Sequence, residues 1–299
     1  MVEFSSLAQL RDYVEHCIAS NNKDIDYEVL IQKISDFSSD FREEKLEIAI
    51  VLSFFLEKEG KRTSMKIDQL RRSYENSGNT IAFEPFIARC MVLIYPKILA
   101  SHGFALPVTK EDHGDVTAGI VSIINKINEI GHEAFVNSGA LLGIIRDKTY
   151  IPYDDDVDIG VILRANSAQS AASEWSRFKH HLEVKGLFQK VAWPGATYKI
   201  RNAGRLTVDL FPSWIENGLV YVFPHTFGEL LREDLLPLAK SEPFGLPIPH
   251  RAESMLAINY GSGWTKPDPY YKFPWDSRLK KYRIFLDELK KLQSREESK

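Results

Sequence analysis

The segment Ile151 to Val161, IPYDDDVDIGV, packs four aspartates into five positions directly ahead of an apolar run. Like charges this close repel, and aspartate is a poor strand former. A chain with this segment must neutralise the acids or leave them in water. Three arrangements do so: a solvated turn that uses the aspartates as caps, a salt-bridged acidic knot, or a site that holds metal ions.

The surrounding text favours the third. On a strand, side chains two apart share a face. Asp154, Asp156 and Asp158 therefore point one way if the strand begins early enough, and Asp155, Val157 and Ile159 the other. Asp155 is then the acid expected to tolerate replacement. Asp156 and Asp158 are the firmest pair, because VDIGVIL fixes a strand around them. Two carboxylates on one face do not both ionise cheaply without a cation, and a hard ion with oxygen ligands, Mg²⁺ or Mn²⁺, resolves the conflict. A second segment, LTVDLFPSW, sets Asp209 between Val208 and Leu210 in another apolar strand, where an unpaired buried acid is costly. Three carboxylates on two strands, with two metal ions about 3.5–4 Å apart, form a device for in-line displacement at phosphorus.

The text before the cluster suits that chemistry. NSGALLG puts Ser138 and Gly139 at a strand-to-helix turn, where free N–H groups favour a phosphate. Arg146 stands either to meet a phosphate oxygen or to pair with the aspartates. Lys199 and Arg201 alternate on one strand face in TYKIRN, so both are candidates to line the same cleft. Ser138 is not expected to be a nucleophile, because spacing sets no histidine or acid to activate it. The eight histidines show no HExxH or comparable spacing, and each reads as structural or exposed. Neither GxxxxGK[ST] nor GxGxxG occurs.

Composition bounds the rest. The 299 residues are 44% hydrophobic and 26% charged, enough for one large domain or two ordinary ones. A net charge of −3 gives no reason to expect nucleic acid as a partner. Two cysteines without metal spacing suggest a cytoplasmic protein with free thiols. The opening lacks the pattern of a secretory signal, and the longest uncharged apolar run in the first hundred residues, IAIVLSFFL, has nine residues against the roughly 20 that a span needs.

Residues 1–100 read as helices: LAQLRDYVEHCIAS, SDFREEKLEIAIVLSFFLEKEG running to a stop at Gly60, MKIDQLRRSYENSG, and AFEPFIARCMVLIYPKILASHG with a kink at Pro96. Residues 101–275 alternate helices with short strands, which indicates an α/β or α+β mixed sheet. Residues 276–299 read as a basic terminal helix that frays. From Arg278 it carries eight Lys/Arg against four acids, so it is either an ordinary solvated helix or one that rests on an anionic membrane at the inner face of the plasma membrane.

SGALLGIIRDKTYIPYDDDVDIGV, followed in order by VDLFPSW, LLPLAKSEPFGLPIPHRAESMLAINYG and GWTKPDP, resembles the LicD family of phosphocholine and polyol-phosphate transferases, which includes the fukutin-related proteins. The resemblance spans roughly residues 115 to 270. Tyr153 stands where the family usually has Trp, and Ser-Gly replaces Gly-Ser or Gly-Gly at the turn. Membership implies an α+β fold of the polymerase-β nucleotidyltransferase type, a mixed sheet flanked by helices. It implies that Asp156 and Asp158 are the metal-binding D-x-D, Asp209 the third acid and Asp154 an accessory one, with Ser138 and Gly139 in the phosphate turn. It also implies transfer of a substituted phosphate, phosphocholine or a polyol phosphate, from a CDP-linked donor to a hydroxyl of a capsule, lipopolysaccharide or teichoic-acid type glycan. Two other readings share much of this sequence: a nucleotidyltransferase that releases pyrophosphate, and a non-catalytic protein acting through its N-terminal helices.

Overall fold

Apolar residues three and four apart govern the first part of the chain and fold it into five helices. In the computed structural model, which describes residues 3–100, 103–108, 113–192, 195–201, 206–268, 271 and 273–297, these are α1 (Leu7–Ala19), α2 (Tyr27–Asp36), α3 (Arg42–Leu56), α4 (Gly60–Ser77) and α5 (Phe83–Ile94). The Ser6 and Asp26 side chains cap α1 and α2 by accepting the N–H groups of Gln9 and Val29. Every residue from Ile48 to Phe55 is buried, which makes α3 the helix the others pack around.

Four expectations change here. Helix α2 was not anticipated. Gly60 does not end α3, which stops at Leu56 with Glu57 in the left-handed region; Gly60 begins α4 instead. A Cβ on Gly60 would lie 2.6 Å from the Gly103 Cα, so a close backbone approach requires glycine there. Pro96 terminates α5 rather than kinking it: Tyr95 leaves helical geometry at ψ 133, as a residue before proline does. A hairpin of β1 (Ile98–Ala100) and β2 (Gly103–Ala105) follows, so this region is not wholly helical.

The chain divides into two units, Met1–Pro107 and Val108–Lys299. The second contains α6 (His113–Glu129), β3 (Glu133–Val136), α7 (Ser138–Leu142), β4 (Val157–Ile162), α8 (Ala168–Val184), β5 (Phe188–Ala192), β6 (Thr197–Arg201), β7 (Thr207–Glu216), β8 (Leu219–Val222) and β9 (Thr226–Leu231). It continues with α9 (Arg232–Leu235), β10 (Ala239–Lys240), β11 (Pro247–Ile248), α10 (Ala252–Tyr260), α11 (Trp275–Lys281) and α12 (Arg283–Glu297). A seven-stranded sheet runs in the order β3-β4-β7-β6-β5, with β8 on the far half of β7 and β9 beyond it. Only β4 and β7 pair in parallel within it, so the sheet is mixed and the fold α+β, flanked by helices. The strands β9, β10 and β11 were not read from the sequence.

Strand β7 is the spine of this unit. Its first part pairs with β6 through Leu210, and β8 takes over on that side from Ser213. Pro212, which has no N–H to give, falls in the gap between the two partners. On one face of the sheet Tyr198 stacks on Trp175 of α8 at 4.4 Å, and the Trp175 indole N–H donates to the Ala196 carbonyl at 2.8 Å.

The C-terminal segment is not one fraying helix. It breaks at the buried Tyr282 into α11 and α12, and α12 packs on α8 with Phe285 and Leu289 buried. These two core side chains of α12 are thus already covered by protein. No helix among the described residues is long and apolar enough to cross a membrane.

Gly160 of β4 lies beneath the buried Phe135 ring, and a Cβ there would sit 2.4 Å from the Phe135 Cζ. Gly160→Ala should therefore destabilise the protein by about 1–3 kcal/mol. In urea unfolding the added Phe135→Leu should recover part of that loss, and two purely additive effects would refute the clash.

Candidate active site

The acids assemble because β4 and β7 pair in register. Asp158 and Asp209 are Cα partners on these parallel strands, and Lys199 of β6 is the antiparallel partner of Asp209. One row across three strands therefore reads Lys199, Asp209, Asp158 on the face opposite Tyr198. The Asn137 N–H, just beyond β3, donates to the Asp158 carbonyl at 2.9 Å and extends the row to a fourth strand. Asp156 precedes β4, and its carboxylate joins those of Asp158 and Asp209 with oxygens all within 4.8 Å of one another.

Because β4 begins only at Val157, strand alternation does not govern residues 154 to 156. The carboxylates of Asp154, Asp155 and Asp156 converge within 4.8 Å, so Asp155 does not point away as expected. The Asp155 N–H also donates to Asp154 Oδ1 at 3.2 Å. Burial drives the Asp158 carboxyl pKa well above the usual range, and the charges of Asp156, Asp209 and Asp154 push it further. Asp154 is raised likewise, first by burial and then by Asp156 and Asp155.

The basic residues and the turn have partners that spacing did not reveal. Lys199, buried, donates to both oxygens of Asp209 at 2.7 and 2.8 Å and lies 3.9 Å from Asp156 Oδ2. Arg146 pairs with Asp147 rather than with the clustered acids. It sits in a π-helical turn after α7 and holds its neighbour Asp147 through two hydrogen bonds of 2.8 and 2.7 Å. Arg201 ends β6, and its side chain lies outside the described residues. At Gly139 the Asp154 carboxylate takes the space above the turn, where a Cβ would be 2.2 Å from Asp154 Oδ2.

Ser138 is buried at φ 47, in the left-handed region that non-glycine residues avoid. Its hydroxyl partly offsets the rise in pKa of the Asp158 carboxyl. Its Oγ also lies 3.2 Å from Nε2 of the buried His225, whose Nδ1 lies 3.5 Å from the Asn137 amide nitrogen. The Ser138 Oγ also lies 3.5 Å from Nδ1, and the ring tautomer decides which of these groups donates. Burial, helped by the Arg278 charge, lowers the His225 pKa to about 3 and keeps the ring neutral.

His225, Asn137 and Tyr260 are the site residues that sequence reasoning missed. Tyr260 ends α10, and its hydroxyl pKa is raised well above the ordinary value by burial and then by the Asp158 and Asp154 charges. The INYG text carried a hint of it. His225 is 87 residues from Ser138, and nothing around it marks it.

The donor set fits a hard divalent ion. It is all oxygen, its carboxylates crowd against one another, and the buried Asn137 Oδ1 beside them has no hydrogen-bond partner among the described residues. Residues 131–250 match a family model described as LicD/FKTN/FKRP, nucleotidyltransferase domain. The chain carries a LicD-family domain. No curated protein matches the chain. The LicD domain holds β3 through β11, and with them Ser138, Asp158, Asp209, Lys199 and His225; it supports a phosphotransferase-type activity.

The neutral His225 has a consequence for acid stability. Below its ordinary pKa of 6.5 the unfolded chain takes up a proton that the native ring refuses, so stability is lost as pH falls from 6.5 towards about 3. In metal-free protein, His225→Gln should flatten this acid limb of the stability profile measured by urea unfolding. A limb of unchanged slope would show that His225 is not held neutral.

Proposed function

We propose that this protein is a metal-dependent phosphotransferase that moves a substituted phosphate, phosphocholine or a polyol phosphate, from a CDP-linked donor to a hydroxyl of a cell-surface glycan. The observation that carries the reading is the in-register Asp158–Asp209 pair with Asp156 beside it, inside a LicD domain. Asp156 and Asp158 would hold Mg²⁺ or Mn²⁺, with Asp154 and Asp155 adjacent. The ion would neutralise charge on the donor's diphosphate as its phosphorus–oxygen bond breaks.

The protein's own groups do the remaining work. Ser138, in contact with His225, offers its hydroxyl to Asp158 and favours the ionised form of that carboxylate. Asp209 faces the same space and is positioned to receive the acceptor hydroxyl's proton as the hydroxyl oxygen attacks the β-phosphorus. The new oxygen–phosphorus bond forms opposite the bond that breaks, and cytidine monophosphate leaves. The Tyr260 hydroxyl is kept neutral by burial and by the charges of Asp158 and Asp154.

Incubation with a panel of CDP-linked choline and polyols plus Mn²⁺ should release cytidine monophosphate from one donor. Release of pyrophosphate from a nucleoside triphosphate would instead assign the protein as a nucleotidyltransferase. Asp156→Ala and Asp158→Ala should each reduce turnover by at least about 10²–10³-fold with the melting temperature retained. Retained turnover in either variant would overturn the assignment.

A further inference from the structure

We infer that the Lys199 ammonium stands in for a second metal ion, so that the site takes one divalent ion rather than two. This rests on the metal-dependent reading above and concerns how the charge of the site is completed.

The argument begins with where Lys199 is placed. As the register partner of Asp209 it rises from the same row, and its Nζ bridges both Asp209 oxygens at 2.7 and 2.8 Å. It also lies 3.9 Å from Asp156, so it faces the inner side of the acid set and not open solvent. The side chains of Lys199 and Asp209 are only 10% and 8% exposed. A buried ion pair of this geometry does not open readily, because each partner alone would be left as an uncompensated charge in a poorly solvated place.

Two-ion sites for in-line displacement use a shared acid to bridge ions about 3.5–4 Å apart. Here the third acid already carries a cation on both oxygens. An ion bound to Asp209 would have to displace that ammonium or lie against it. Each Asp209 oxygen keeps a further lone pair, so the hydroxyl proton still has a place to go. Phosphoryl transfer through a loose transition state depends on fixed positive charge more than on a strong base, and a buried ammonium provides that charge without a second ion.

The test is to count ions. Calorimetric titration of the full chain with Mn²⁺ should give one ion per chain. Lys199→Met, of similar length and without charge, should admit a second, and Lys199→Arg should remain at one. Electron paramagnetic resonance of the unaltered chain with saturating Mn²⁺ and CDP should show uncoupled Mn²⁺. Two ions on the unaltered chain, a spin-coupled spectrum, or a folded Lys199→Met that stays at one ion would each overturn the inference and leave the metal-dependent reading intact. No bound ion at all would overturn both. Should Lys199→Met unfold, the resonance spectrum of the unaltered chain decides alone.

Discussion

Everything in the second unit answers to the pairing of Asp158 with Asp209 on adjacent parallel strands. In-register pairing sets two like charges side by side on one face, which neighbouring strands ordinarily avoid. The sheet tolerates this because further groups converge on the pair. Lys199 meets Asp209 from β6, Ser138 meets Asp158 from the turn after β3, and Asn137 fixes the Asp158 backbone. The opposite face is apolar and closed by α8, so the acids have no other direction in which to turn.

Balance among these contacts is incomplete. Asp158 and Asp154 both keep raised pKa values, first because they are buried and then because other acids surround them. A site in that condition attracts a cation from solution. The same condition makes it a liability in an empty protein, since buried like charges lower stability until something neutralises them. Site and stability are therefore opposed here, and the fold tolerates the opposition by placing a rigid, well-packed sheet beneath it.

Much of this was legible in the sequence, for a physical reason. A charge inside apolar text is conspicuous, so Asp158 and Asp209 stood out, and VDIGV and LTVDLF read correctly as strands. Asp155 was misread because alternation was extended backward past the start of β4. Arg146 and Lys199 were recognised as basic residues near acids, but partner choice depends on cross-strand register and on a local turn, which no spacing reveals. His225 was invisible, since its only distinction is what it touches. Terminal basic text suggested a loose helix, whereas two apolar side chains one helical turn apart, Phe285 and Leu289, are enough to dock it. Gly60 was read as the end of one helix but begins the next, and Pro96 was read as a kink but follows the end of its helix.

Ser138 occupies a backbone conformation that glycine would adopt without resistance, and any L side chain there costs about 1–2 kcal/mol. The chain nevertheless carries a hydroxyl at that point, next to a glycine that must remain glycine because Asp154 leans on it. Of two consecutive positions, one is kept bare for a carboxylate to approach and the next is forced to bear a hydroxyl. The turn is thus shaped from the inside by acids that come from elsewhere in the chain, and its geometry records the position of the charge it serves.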